Sequence, residues 1–117
     1  MGVLLQVEDR ELDGAHLLEL AGEGDLSNAS EFSERLLALS APGDRKIALD
    51  LRGLRFMDST MVHAILGATA RIRRHDGEMV IVCADTGVCR ILEHTAVDTV
   101  FQVVPTLEQA LAELRVA

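Results

Sequence analysis

"KIALDLRGLRFMDSTMVHAILGA", residues 46–68, decides the fold. Ile47, Ala48 and Leu49 make a nearly continuous apolar run, as in a strand covered on both faces. Met61, Ile65, Ala68 and Ile72 then recur at helical spacing and line one side of a helix that runs to about Arg74. Arg71, Arg73 and Arg74 place positive charge in its last turn, where the helix dipole favours it, and Gly77 ends it. Between strand and helix stand three polar residues, Asp58, Ser59 and Thr60.

The same alternation extends in both directions. Upstream, "VLLQVEDRELDGAHLLELAGEGD" reads as two strands around a turn at Asp13-Gly14, a dipeptide favoured in hairpins. "SNASEFSERLLALSAPGD" follows as a helix. Ala29, Phe32, Leu36 and Leu39 form its apolar stripe, Ser27 is the expected cap, and Pro42-Gly43 stop it. Downstream, "EMVIVCA" is a fourth strand, and Asp85 or Thr86 opens a short helix through about His94. "TVFQVV" is a fifth strand. Thr106 and Gln109 stand in capping-box spacing before a last helix striped by Leu107, Ala110, Leu111 and Leu114.

The order β-β-α-β-α-β-α-β-α predicts one α/β domain over residues 1–117: a mostly parallel five-stranded sheet with an antiparallel N-terminal hairpin at one edge and about four helices. Functional groups of such sheets gather beyond the carboxyl ends of the strands. "MDST" follows the third strand and "GEGDLS" the second, so these two loops are expected to be neighbours.

Composition removes several classes of function. The 117 residues are 49% hydrophobic and 26% charged, an ordinary globular balance. With no Trp or Tyr the core is aliphatic, and a stacking platform for single strands is lacking. A net charge of −8 repels phosphate backbones and anionic lipid, so direct nucleic-acid binding is not expected, and a partner with a basic patch is. No apolar run approaches the ~20 residues of a membrane span. The N-terminus lacks the basic region of a signal peptide, and Gln6 stands where a myristoylation motif needs Ser or Thr. The expected compartment is the cytoplasm. No cofactor is expected, because P-loop and dinucleotide-binding glycine patterns are missing. His16, His63, His75 and His94 lack metal-ligand spacing. Cys83 and Cys89 are too far apart for a CxxC pair. They read as small apolar core residues in a reducing compartment or as a redox-sensing pair.

Three chemistries compete for the hydroxyls of the central loop. As a helix cap, a polar residue here contributes roughly 1 kcal/mol. As a nucleophile, Ser59 has His63 one helical turn away, but no GxSxG elbow surrounds it and no third group orients the base, so no enzyme is expected. As a phosphate acceptor, a hydroxyl at a helix start faces free N–H groups and the positive end of the dipole. Phosphate adds about −1.5 to −2 charge there, beside Asp58 and near Asp25, sparing the core while making the surface sharply more acidic.

These residues resemble the STAS domains, in particular the bacterial anti-sigma factor antagonists. The resemblance covers nearly the whole chain through "LAGEGDLSNASEF", "IALDLRGLRFMDSTMVHAILGA" and "RHDGEMVIVCA". It implies a partner switch: the antagonist binds an anti-sigma factor that is also a serine kinase of the GHKL type, and the sigma factor is released. The kinase phosphorylates the antagonist, which dissociates, and a serine phosphatase resets it. The resemblance makes Ser59 the phosphoacceptor, Thr60 a minor candidate acceptor, Asp58 the motif neighbour, and Asp25 the acidic residue of the adjoining loop. The partner surface then comprises Asp25, Asp58, Ser59, Thr60, Met61 and His63. Two family glycines are replaced here by Met61 and His63, which add bulk; Met61 is expected to pack inward and His63 to face the partner. The alternative is a STAS interaction module with a degenerate switch, serving as a scaffold, in a stressosome-like assembly or beside a transporter, and responding to redox state through Cys83 and Cys89.

Overall fold

A computed structural model describes residues 5–43, 45–84, 87–95 and 102–114, the side chains of 93–95 excepted. The first two strands, β1 (Gln6–Leu12) and β2 (Ala15–Gly24), form an antiparallel hairpin. Asp13 and Gly14 both take positive φ (53° and 82°), which a tight two-residue hairpin turn requires. Then come α1 (Ala29–Ser40), β3 (Lys46–Met57), α2 (Ser59–Arg74), β4 (Glu78–Val82), α3 (Gly87–Thr95), β5 (Val103–Val104) and α4 (Leu107–Leu114). The sheet order is β1-β2-β3-β4-β5, with every pair after the hairpin parallel. The expected architecture is therefore the one observed.

The strands bury alternate residues on two faces. Leu18, Leu20, Ile47, Leu49 and Leu51 point to one, where α1, α2 and α3 supply Phe32, Leu36, Met61, Ile65, Ile72, Val88 and Leu92. Leu17, Ala48, Val80 and Val82 point to the other, which α4 covers with Ala110 and Leu114. Each large side chain buried in these layers contributes roughly 1.5–3 kcal/mol.

The lengths of the strands position the site. β3 pairs with β4 only from Lys46↔Glu78 to Asp50↔Val82, whereas its pairing with β2 continues to Gly24↔Met57. The last seven residues of β3 thus project beyond β4; α3 packs against β3. Asp50, at the end of the shared stretch, is buried and accepts hydrogen bonds from the backbone N–H, Nε and Nη2 of Arg52.

Several local expectations change. Ser27 does not cap α1. Asn28 holds the cap position, and its side chain faces back into the preceding loop. β5 covers two of the residues assigned to the fifth strand; 99–101 lie outside the described residues, as do Asp85 and Thr86, the expected start of α3. Thr106 does cap α4, its hydroxyl accepting from the Gln109 N–H at 3.1 Å. Cys83 and Cys89 are buried, as core residues would be, but they are joined as a disulfide with Cα atoms 5.8 Å apart. A strand end followed by the first turn of a helix brings together two cysteines whose spacing does not fit a CxxC pair.

Candidate functional site

Two loops meet at the carboxyl edge of the sheet, and Asp58 knits them together. It sits at the N-cap of α2 with extended backbone, and its Oδ1 accepts from the Met61 N–H at 3.1 Å. Its Oδ2 accepts from the Leu26 N–H at 3.2 Å, 32 residues away in the chain. Its own N–H donates to the Gly24 carbonyl at 3.1 Å. The cap of α2 is therefore the carboxylate and not the Ser59 hydroxyl, which corrects the expectation that a hydroxyl serves this role.

The opposing loop, residues 25–28, is folded on itself. Asp25 Oδ1 accepts from the Ser27 N–H at 2.9 Å and from the Ser27 hydroxyl at 2.5 Å. The Asn28 side chain accepts from the Asp25 N–H through Oδ1 and donates through its amide to the Glu23 carbonyl. The Asp25 carboxylate is held on the lip facing Asp58. Neither acid has a cation within ion-pair distance among the described residues. Both also border a shallow groove with Leu26, Ser27 and Phe56.

Ser59 is the first residue of α2 and is exposed; Thr60 is half-buried. No hydrogen bond engages the Ser59 hydroxyl among the described residues, so it is free for chemistry from solvent or a partner. Met61 is fully buried, as expected of an inward-packing side chain. It fills the space against Gly24: a Cβ at Gly24 would come within 2.8 Å of Met61 Cγ and 3.2 Å of its Sδ. Gly24 and Met61 thus form a second tie between the loops, beneath the Asp58 hydrogen bonds. His63 lies one turn beyond Ser59 and is exposed, while Asp25 and Asp58 border the groove beside the start of the helix that carries both.

Two residues that sequence reasoning passed over join this rim. Leu26 is 76% exposed and Phe56 47%. Strand alternation could have placed Phe56, because Met57 is the inward partner of that pair. Leu26 carried the signal of an apolar residue alone in a polar loop. The arrangement is an acidic lip with two apolar projections around an unengaged hydroxyl. The described residues contain no cluster of His, Cys, Asp and Glu able to hold a metal. No helix among them is long and apolar enough to cross a membrane.

Known proteins carry the same frame. The Anti-sigma-B factor antagonist of Staphylococcus aureus is 25% identical over 99 residues, 85% of this chain and 92% of that one. An anti-sigma factor antagonist from Mycobacterium paratuberculosis superposes with a TM-score of 0.87 at 21% identity, covering 97% of this chain and 96% of that one. The Bacillus cell fate determinant SpoIIAA, solved in its phosphorylated form, superposes at 0.69 with 18% identity, covering 96% and 100%. The family model for the STAS domain matches residues 6–110, and the chain belongs to that family.

Proposed function

We propose that this protein is an anti-sigma factor antagonist: it binds an anti-sigma factor and frees a sigma factor, and phosphorylation of Ser59 switches it off. The observation that carries the reading is an exposed, unengaged hydroxyl at the start of α2, set between two clamped acidic loops in a STAS chain. The similar S. aureus protein is named for antagonism of an anti-sigma factor, and SpoIIAA is known in a phosphorylated form. The partner is an anti-sigma factor with serine-kinase activity of the GHKL type. Asp25, Asp58, Ser59, Thr60 and His63 meet it, with Leu26 and Phe56 as apolar contacts, while Met61 acts from below by holding the loops in register. A serine phosphatase restores the free hydroxyl, and the cycle runs in the cytoplasm.

The mechanism is electrostatic. Phosphate adds about −1.5 to −2 charge beside two carboxylates that have no ion-pair partner among the described residues. Like charge opposed to a partner suited to an acidic lip costs binding without disturbing the core. A pull-down with phosphosite mass spectrometry tests this: an anti-sigma kinase and a phosphate on Ser59 are expected, and absence of both refutes the reading.

A second reading is favoured by the exposed His63, which stands where the family has glycine. The chain would then be a STAS interaction module with a degenerate switch. Incubation with the cognate kinase and ATP separates the two: an unchanged protein mass supports the module, and a gain of one phosphate at Ser59 supports the switch.

A further inference from the structure

Cys83 and Cys89 stand outside the Ser59 rim, at the carboxyl end of β4, which stops level with Asp50 of β3. Cys83 follows the last residue of β4, and its N–H donates to the Val104 carbonyl of β5 at 2.9 Å. It is part of the sheet. Cys89 is the third residue of α3. The bridge therefore fastens a helix to a strand end, closing a loop of residues 83–89.

That helix is in a position to matter. It packs against β3, which runs on beyond β4 to Met57, the residue before Asp58. It has nine residues, too few to be stable alone, so it depends on Val88, Cys89 and Leu92 in the core and on the bridge. Both sulfurs also suit the reduced state. A free cysteine is a small hydrophobe that packs well when buried, so α3 keeps its apolar contacts when the bond opens. The chain has two cysteines, so no other intramolecular pairing competes. A disulfide in a reducing compartment is typically transient and regulatory, a step that rests on the cytoplasmic reading above.

We propose that Cys83 and Cys89 form a reversible dithiol–disulfide site. Its oxidant is a low-molecular-weight disulfide of the glutathione type, and its state sets how firmly α3 is held against β3, the strand that leads to Asp58 and Ser59. Cys89 is the entering thiolate: it is buried in the closed structure, so local opening of α3 exposes it, and the first turn of a helix favours the thiolate form. It attacks one sulfur of the small disulfide, expels one small thiolate and leaves a mixed disulfide on Cys89. The Cys83 thiolate then attacks the Cys89 sulfur, forms the protein disulfide and expels the second small thiolate. Two protein thiols are oxidised, losing two electrons and two protons, and one small disulfide is reduced to two small thiols.

The test equilibrates the full chain, under native conditions, with a series of reduced-to-oxidised glutathione ratios. Each sample is quenched in acid, alkylated and weighed intact. The expected result is one transition between a doubly alkylated and an unalkylated form, reversed by dithiothreitol. Amide exchange in α3 should speed up roughly 10- to 50-fold on reduction, the size that closure of so short a loop implies. Amide shifts should change in residues 54–58 as well as in α3, and should not change in β1. Cys89→Ala keeps a small apolar side chain and should reproduce the reduced spectrum at every ratio. If the full chain folds in both states, thiols that alkylate at every ratio overturn the site, as does a bond that dithiothreitol leaves closed. Shift changes confined to residues 83–92 overturn the coupling to the Ser59 edge. None of these readouts uses a partner, so the antagonist reading and this one fail separately.

Discussion

Replacing Asp58 with alanine removes two hydrogen bonds that hold different parts of the chain. The bond to the Met61 N–H is a helix cap, and losing it costs about 1 kcal/mol. The bond to the Leu26 N–H is exposed, so water takes over part of its role and the net loss is about 0.5 kcal/mol. Together they give about 1.5 kcal/mol, or about 6 °C in Tm for a chain of this size. Asparagine discriminates between the two terms. It caps a helix as well as aspartate does, so Asp58→Asn should lose only the second bond, about 0.5 kcal/mol and about 2 °C. Urea denaturation followed by circular dichroism measures both variants, with m unchanged because the unfolded chain exposes the same surface. Amide exchange at Leu26 should quicken in both variants, and at Met61 only in the alanine variant. Equal stability of Asp58→Ala and wild type would show that the carboxylate does not bridge the loops. Equal loss in the alanine and asparagine variants would show that its charge, and not its hydrogen bonding, is what the fold uses.

Met61→Gly should destabilise the protein by about 4 kcal/mol, through loss of a buried side chain and a glycine inside a helix. Gly24→Ala should cost about 1–3 kcal/mol, because its Cβ meets Met61 Cγ at 2.8 Å, and the cost should shrink in a Met61→Ala background. Additive losses in chemical denaturation would deny that contact. Leu26→Ser should leave stability within about 0.5 kcal/mol yet weaken anti-sigma factor binding at least about tenfold, as truncation of an apolar anchor does; calorimetric titration reads the affinity, and Phe56→Thr should weaken binding in the same direction. Ser59→Ala should leave binding constitutive while Ser59→Glu reduces it, with both within about 0.5 kcal/mol of wild type in stability. Equal affinity of those two variants contradicts the electrostatic switch.

The legible part of this molecule was written in periodicity. Ile47 to Leu49 and Met61 to Ile72 announced a buried strand and an amphipathic helix, and burial of those side chains dominates the folding energy. The meeting of the β2 and β3 loops followed from parallel topology, because both strands end at the same edge. What stayed hidden depends on single atoms. Asp58 and Ser59 are both good cap residues, and only the loop geometry decides that the carboxylate caps while Ser59 becomes the exposed first residue of the helix. Ser27 does not cap α1 because the helix starts one residue later than its cap would require, with Asn28 at the N-cap, while the Ser27 hydroxyl donates to Asp25. The cysteine bridge joins a strand end to a helix turn, a proximity that neither element's spacing encodes. Leu26 was missed for the opposite reason: an exposed apolar residue in a loop belongs to no periodic pattern.

The two oxygens of Asp58 are spoken for, one by each loop. Its carboxylate therefore has no spare rotamer. A surface acid facing a new negative charge ordinarily swings aside and lets solvent dissipate the repulsion. Here that escape would uncap α2 and release the β2 loop. On the proposed switch, a phosphate at Ser59 would confront a stationary charge, and the repulsion would pass outward to a docked partner instead of being relaxed within the protein.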